Sequence, residues 1–242
     1  TSMASIIQYR TTSNNIRPND LTTQNTKSIS TYIKPFKSVI PLHIYQTWNT
    51  LQLPTKMKQN VELLKKQNPE FTHHLYDDLM CASFIKDNYD EDTLYAYNKL
   101  KPGAFKADLW RYCMLYKMGG VYLDIKHRCI NGFKLLSLTD KEYWVKDTCI
   151  ESGKHGIYQA IFSCLPKNNV LLKCIKDIVH FVKHNLYTTK CLSVTGPMLA
   201  CKHVNKKDID NILYTLDDNN YVLDITTNTC VLDIYPEYRL EQ

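Results

Sequence analysis

Two adjacent glycines, Gly119-Gly120, join segments of different period. Before them, residues 104–118 place Phe105, Leu109, Tyr112, Cys113 and Tyr116 on one face of a predicted helix. After them, Val121-Tyr122-Leu123-Asp124-Ile125 reads as a strand that brings a carboxylate to its end. The first glycine suits the left-handed conformation that ends a helix, where a side chain would be strained. Such a sharp return packs the helix beside the strand that it feeds, the unit of a layered α/β domain. Glycine is otherwise scarce: the chain has 7 in 242 residues, and Gly103, Gly119, Gly120 and Gly132 all frame this one unit. That scarcity excludes collagen-like and linker-like chains and leaves no Gly-rich dinucleotide loop.

The same alternation continues on both sides. Residues 39–45 form a strand candidate that runs into Gln46-Thr47-Trp48. Thr55 is placed to cap a helix reaching Gln67, with Met57, Val61 and Leu64 at helical spacing. Residues 71–76 read as a second strand with the polar end Asp77-Asp78, followed by short helices near 78–88 and 91–100. Later strands are predicted at 142–146, 158–164, 221–225 and 230–234. A long helix spans 168–185, with Val170, Leu171, Cys174, Ile178 and Phe181 on its face. This order predicts one α/β domain over residues 38–242, a mixed, mainly parallel central sheet with helices on both faces. Residues 1–37, poor in apolar side chains and rich in Ser, Thr, Asn and Gln, read as a polar, disordered leader.

Charge and cysteine usage narrow the class of protein. Lys and Arg number 30 against 24 Asp and Glu, a net charge of +6. The lysines are scattered, however, and no basic stripe with interleaved aromatics marks a nucleic-acid surface. No apolar run reaches the roughly 18 residues of a membrane span. The nine cysteines contain no CxxC pair, which excludes zinc fingers and ribbons. They read as reduced, buried thiols of an intracellular protein. The Asn-, Lys-, Tyr- and Ile-rich composition suits an AT-rich viral genome, so the cytoplasm or a viral factory is the expected location.

In open α/β sheets, ligands sit beyond the carboxyl ends of the strands. Three predicted strands end there in functional groups: Gln46-Thr47-Trp48, Asp77-Asp78 and Asp124-Ile125-Lys126. Trp48 can stack on a flat ring. Asp108 and Arg111, three apart, share one helix face. There Asp108 can accept from sugar hydroxyls and Arg111 can hold an anion bidentately; an ordinary intrahelical ion pair is the plainer reading of the same spacing.

Ala107-Asp108-Leu109-Trp110-Arg111-Tyr112, followed by Leu115-Tyr116-Lys117-Met118-Gly119-Gly120-Val121-Tyr122-Leu123-Asp124, resembles the DXD-containing sugar-transferase family, which includes initiation-specific mannosyltransferases and viral and capsule enzymes. Weaker similarity extends from about residue 38 to 200, through Ile40 to Trp48, Asn68 to Asp78, Gln159 to Pro166 and Thr195-Gly196-Pro197. The resemblance implies a GT-A fold and retaining transfer of a hexose or N-acetylhexosamine from a nucleotide-diphosphate sugar, a UDP-sugar before a GDP-sugar. The acceptor would be a hydroxyl of a glycan, glycolipid or protein. It further implies that Trp48 stacks on the base, that Asp108 and Arg111 bind the donor sugar, and that Asp124 is the first DXD carboxylate, near the ribose and the metal. Gln46, Thr47, Tyr112, Lys126 and Gln159 complete the expected donor-binding set, with Asp108, Arg111 and Asp124 as the catalytic group. Replacing Asp124 by Asn or Arg111 by Ala is expected to abolish transfer without unfolding the domain.

The departure from the family falls at Lys126, which stands where the second DXD carboxylate would bind a metal. Residues 124 and 126 share one side of a continuing strand, and His127 points to the other. Two expectations follow: a divalent Mn²⁺ or Mg²⁺ held weakly through Asp124, or no cofactor beyond the donor. A catalytically impaired sugar-nucleotide-binding module is the alternative to an active enzyme. The chain also stops at Tyr238-Arg239-Leu240-Glu241-Gln242, short of the aromatic and basic tail of that family.

Overall fold

The computed structural model describes residues 36–151, 154–186, 193–205, 213–216, 221–224 and 226–241. The predicted leader lies outside the described residues apart from its last two positions. The elements are β1 (His43–Thr47), α1 (Thr55–Gln67), β2 (Thr72–Tyr76), α2 (Asp78–Asn88), α3 (Glu91–Lys99), α4 (Gly103–Met118), β3 (Gly120–Leu123), β4 (His127–Cys129), β5 (Tyr143–Glu151), β6 (Lys154–Cys164), α5 (Asn169–Lys183), α6 (Pro197–His203), β7 (Leu213–Leu216), β8 (Tyr221–Asp224) and β9 (Thr229–Ile234). All nine strands join one mixed sheet in the order β2-β1-β3-β6-β5-β7-β8-β9-β4. β2, β1 and β3 run parallel, as do β5 and β7. The remaining neighbours are antiparallel. The parallel trio is the half that carries the site, because its three carboxyl ends open on the same edge.

Period-2 alternation sorts the sheet's side chains between two layers. Tyr45, Tyr122, Phe162 and Trp144 point into the core that packs α2 to α6. Their neighbours Ile44, Val121 and Ile161 point the opposite way, into a second core with Leu64 of α1. Helices therefore cover both faces, as the alternating pattern predicts. Two strands escaped the sequence reading. β4 has three residues and β7 four, too short for a period to register.

Gly119 and Gly120 adopt φ of +64° and +112°. Both needs are met only by glycine. A Cβ on Gly119 would lie 2.7 Å from Pro166 Cδ, and one on Gly120 would lie 2.9 Å from the carbonyl oxygen of His43. The second value explains how β3 comes to pair with β1: the two backbones meet where no side chain fits.

Two local expectations are corrected. Thr55 does not cap α1; Pro54 holds the cap position and offers no side-chain acceptor. Instead the Glu241 carboxylate, far along the chain, accepts from the backbone N–H groups of Lys56 and Met57 at 3.0 and 2.9 Å. A carboxylate at a helix N-terminus satisfies free donors and complements the dipole. Nor does the strand continue past Leu123. The N–H of His127 donates to the Asp124 carbonyl at 3.0 Å, closing a turn over residues 124–127 before β4 begins.

Among the described residues no cysteine forms a disulfide, and Cys81, Cys113, Cys129, Cys164 and Cys174 are buried. No described helix is long and apolar enough to cross a membrane. Gly120→Ala is expected to lower the unfolding free energy by about 2 kcal/mol or more through strain and backbone contact. Gly103→Ala, where a Cβ meets nothing within 4 Å, should be near neutral in the same urea titration.

Candidate active site

A cleft of about 440 Å³ opens at the carboxyl ends of β1, β2 and β3. Thr47, Trp48 and Asn49 enter it after β1, Asp78 after β2, and Tyr122, Asp124 and Ile125 from β3; α4 adds Arg111 and Tyr238 closes the far wall. This is the position that parallel α/β sheets favour for ligands.

Arg111 is the hub. Its side chain is only 4% exposed, yet it carries a full charge. One guanidinium nitrogen meets Asp108 Oδ1 at 2.9 Å and donates to the Gln159 carbonyl at 2.6 Å. The other donates to the Tyr122 hydroxyl at 3.3 Å and lies 3.7 Å from Asp124 Oδ1. The Tyr122 hydroxyl in turn donates to Asp124 Oδ1 at 2.6 Å. Burial opposes the guanidinium's charge, but Tyr122, Asp108 and Asp124 outweigh it and hold the group protonated. The Nε–H is buried without a hydrogen-bond partner.

Asp108 faces inward and its carboxylate is engaged on both oxygens. Besides Arg111, Oδ2 accepts from the buried Thr195 hydroxyl at 2.7 Å. Burial pushes its carboxyl up to about 6, against the pull of Arg111 and Thr195. It therefore orients Arg111 from behind, and its side chain does not line the cleft. Tyr112 is likewise buried, donating to Gln159 Oε1 at 2.6 Å and lying 3.0 Å from the Thr195 carbonyl. The Gln159 amide nitrogen is bound to the Ile157 carbonyl. Gln46, fully buried, contacts the Asp124 carbonyl at 3.4 Å and His73 at 2.8 Å. None of these four side chains lines the cleft. Thr47 and Trp48 do, although the Thr47 hydroxyl donates to the Tyr76 carbonyl at 3.0 Å. Trp48 stands edge-on to Tyr238, with ring centroids 6.3 Å apart.

Asp124 is the carboxylate that reaches the cleft with a quarter of its side chain exposed. Burial alone would raise its carboxyl, but Lys126, Arg111 and the Tyr122 hydroxyl bring it below the usual carboxylate range. Lys126 Nζ lies 3.5 Å from Asp124 Oδ2, so the turn brings the two together even though no strand does. The turn itself is held on every side. Asn60 Nδ2 donates to the carbonyls of Ile125 and His127 at 2.9 and 3.0 Å, and the Tyr235 N–H donates to that of Lys126 at 3.0 Å.

His127, expected on the opposite face of a continuing strand, is completely buried. Its ring nitrogens face the Asp233 carbonyl at 3.1 Å and the Tyr158 hydroxyl at 2.8 Å. It is closed off from the cleft.

A DXD-type site implies a divalent cation, and the residues present do not suit one. Hard cations take several oxygen ligands. Here Asp124 already accepts from Tyr122 and an ammonium sits beside its other oxygen. Among the described residues no three His, Cys, Asp or Glu side chains converge. Of the other acids near the rim, Asp78 lines the cleft, and Asp77 caps α2 by accepting from the Met80 N–H at 2.8 Å.

Several cleft residues went unread in the sequence: Asn49, Cys81, Tyr97, Ala107, Tyr122 and Tyr238; Asp78, read as part of a polar strand end, does line the cleft. Tyr122 had a signal, since it lies two positions before Asp124 and shares its side of the chain. Tyr97 and Tyr238 had none, because only the tertiary fold carries them there.

Burial also changes what an Arg111 substitution means. Arg111→Ala leaves Asp108 buried without its partner, and a loss of about 3–5 kcal/mol of stability is expected. Adding Asp108→Asn should recover part of it in thermal unfolding, the reverse of two additive losses. A second expectation concerns pH. Burial, with Lys126 nearby, pushes the His127 imidazole down to about 4, from 6.5. Between those values the unfolded chain takes a proton that the folded one refuses, so stability falls as pH drops from 6.5 toward 4. His73, also pushed down to about 4 by burial, adds a slope of the same sign. His74, pushed down by burial, adds to this fall, while Asp108, raised to about 6 by burial, opposes it; His127→Gln should therefore lose less stability than the wild type between pH 6.5 and 4 in urea titrations.

The family described as "Glycosyltransferase sugar-binding region containing DXD motif" matches residues 54–144. A mannosyl phosphorylinositol ceramide synthase of Saccharomyces cerevisiae is 28% identical over 166 residues, covering 68% of this chain and 41% of the relative. An inositol phosphoceramide mannosyltransferase of Schizosaccharomyces pombe is 34% identical over 162 residues, covering 66% and 45%. The chain thus spans less than half the length of these curated relatives. In fold it is similar to the solved PaToxG glycosyltransferase, with a TM-score of 0.53 at 13% identity over 69% of this chain and 70% of that one. Residues 54–144, which carry Asp108, Arg111, Tyr122 and Asp124, thus match the sugar-binding region of DXD-containing glycosyltransferases.

Proposed function

We propose that this chain is an active glycosyltransferase that moves a hexose from a nucleotide-diphosphate sugar to an acceptor hydroxyl with retention of configuration. The observation that carries the reading is the cleft itself, where Asp124, anchored by Tyr122 and Arg111, faces the aromatic pair Trp48 and Tyr238. The aromatic wall suits a nucleotide base, and an ionised carboxylate suits ribose or sugar hydroxyls. Asp108, Thr195 and Gln159 act one step back, fixing the guanidinium so that it need not reorganise as charge develops on the donor.

The transfer asks little covalent chemistry of the protein. The anomeric C–O bond breaks with its electron pair going to the diphosphate, the acceptor oxygen bonds to the anomeric carbon, and the diphosphate takes the acceptor proton. Positioning and charge stabilisation supply the rate. The names of the two relatives point to a mannosyl donor and an inositol phosphoceramide acceptor for those proteins; for this chain a UDP-sugar, a GDP-sugar and glycan, glycolipid or protein acceptors are all to be tried.

The test measures nucleoside diphosphate released from a panel of UDP- and GDP-sugars, with NMR of the product anomer. One donor should turn over with retention, and Asp124→Asn should lower its kcat/KM by about 100-fold or more while leaving the melting temperature nearly unchanged. Turnover of no donor together with measurable nucleotide binding would establish the impaired module instead.

A further inference from the structure

The motif's changed residue lies at the end of a rigid support, and that support assigns it a task. The turn over residues 124–127 has each of its carbonyls engaged: those of Ile125 and His127 by Asn60 of α1, that of Lys126 by Tyr235, and that of Asp124 by His127. The buried His127 then anchors the turn through Tyr158 and Asp233. From this mount the Lys126 side chain, 18% exposed, runs along the Tyr158 ring, with Nζ 5.9 Å from its centroid and 3.5 Å from Asp124 Oδ2. A cation is thus held beside Asp124, which lines the cleft, by parts that cannot easily move it; Lys126 itself stands behind that lining.

Charge counting shows what it replaces. Two carboxylates with a divalent cation sum to zero, and one carboxylate with one ammonium also sums to zero. Exchanging a carboxylate for lysine therefore removes the ligand and the need for the ion in one step. An added divalent cation would instead meet Lys126 as a like charge, at a position where Asp124 offers no second carboxylate.

Resting on the donor reading above, we propose that Lys126 binds the diphosphate of the donor directly and that this site works without a divalent metal. The Lys126 ammonium offsets the charge that the diphosphate acquires when the anomeric C–O bond breaks with its electron pair, while the acceptor's proton passes to the diphosphate itself. A lysine can serve phosphate in this way as a point charge with three donors.

Calorimetric titration with UDP, UMP, GDP and GMP, each in excess EDTA and again with Mn²⁺, tests the assignment. The wild-type chain should bind one diphosphate in EDTA more tightly than its monophosphate, with Mn²⁺ changing the Kd by less than about threefold. Lys126→Met should shrink the diphosphate-to-monophosphate preference by about tenfold or more, and Lys126→Arg should keep most of it. Lys126→Asp, which restores two carboxylates, should make diphosphate binding depend on Mn²⁺. Diphosphate binding by the wild type only with Mn²⁺, or an unchanged preference in Lys126→Met, would overturn the assignment and leave the donor reading standing. Failure of every nucleotide to bind under both conditions would overturn the donor reading, and this one with it.

Discussion

The buried guanidinium of Arg111 is the constraint from which the site follows. A charge taken out of water must be compensated by fixed partners, and Arg111 draws its partners from separate parts of the fold. Asp108 comes from its own helix, Tyr122 and Asp124 from β3 and the turn after it, and the Gln159 carbonyl from β6. Each partner is held again from behind, as Thr195 holds Asp108. The arrangement ties α4 to the middle of the sheet. It also leaves the Asp124 carboxylate, held below the usual carboxylate range, open to the cleft.

That network needs α4 and β3 close together and correctly aimed, which is the role of the double glycine. Gly119 ends the helix beside Pro166, and Gly120 lets β3 approach the His43 backbone. The parallel trio then exposes its carboxyl ends on one edge, and the turn over residues 124–127 stands there braced from below by Asn60. The 235–241 segment links the same region to the start of α1. Tyr235 holds the turn, Tyr238 meets Trp48 and Glu241 satisfies the N–H groups of Lys56 and Met57. One strap of chain therefore serves as support, cleft wall and helix cap.

Much of the layered architecture was legible in the residues, because helices and strands longer than one turn or four residues announce their period. The boundaries that failed did so for tertiary reasons. Thr55 looks like a cap, but its neighbours' N–H groups take an acceptor from Glu241, far away in sequence. The strand ending at Leu123 looks as if it continues, since Ile125 is apolar; Ile125 instead turns to pack with Met57, Val61 and Tyr235. Gln46, Tyr112 and Gln159 read as ligand contacts because polar groups at strand ends and helix faces serve both purposes. Gln46 and Tyr112 are buried and Gln159 half-buried, each is hydrogen-bonded within the protein, and none of the three lines the cleft.

The sequence by itself determined that Asp108 and Arg111 share a helix face, that Gly119-Gly120 must turn sharply, and that Lys126 follows Asp124 by two positions. Those are properties of spacing and of individual side chains, and spacing survives without a fold. The tertiary structure decided that Asp108 is buried against Arg111 and Thr195, and that His127 is sealed behind Tyr158. It also decided that Tyr97 and Tyr238 line the cleft. Each of these depends on which groups lose water on folding, and desolvation is a property of the packed chain and not of its order.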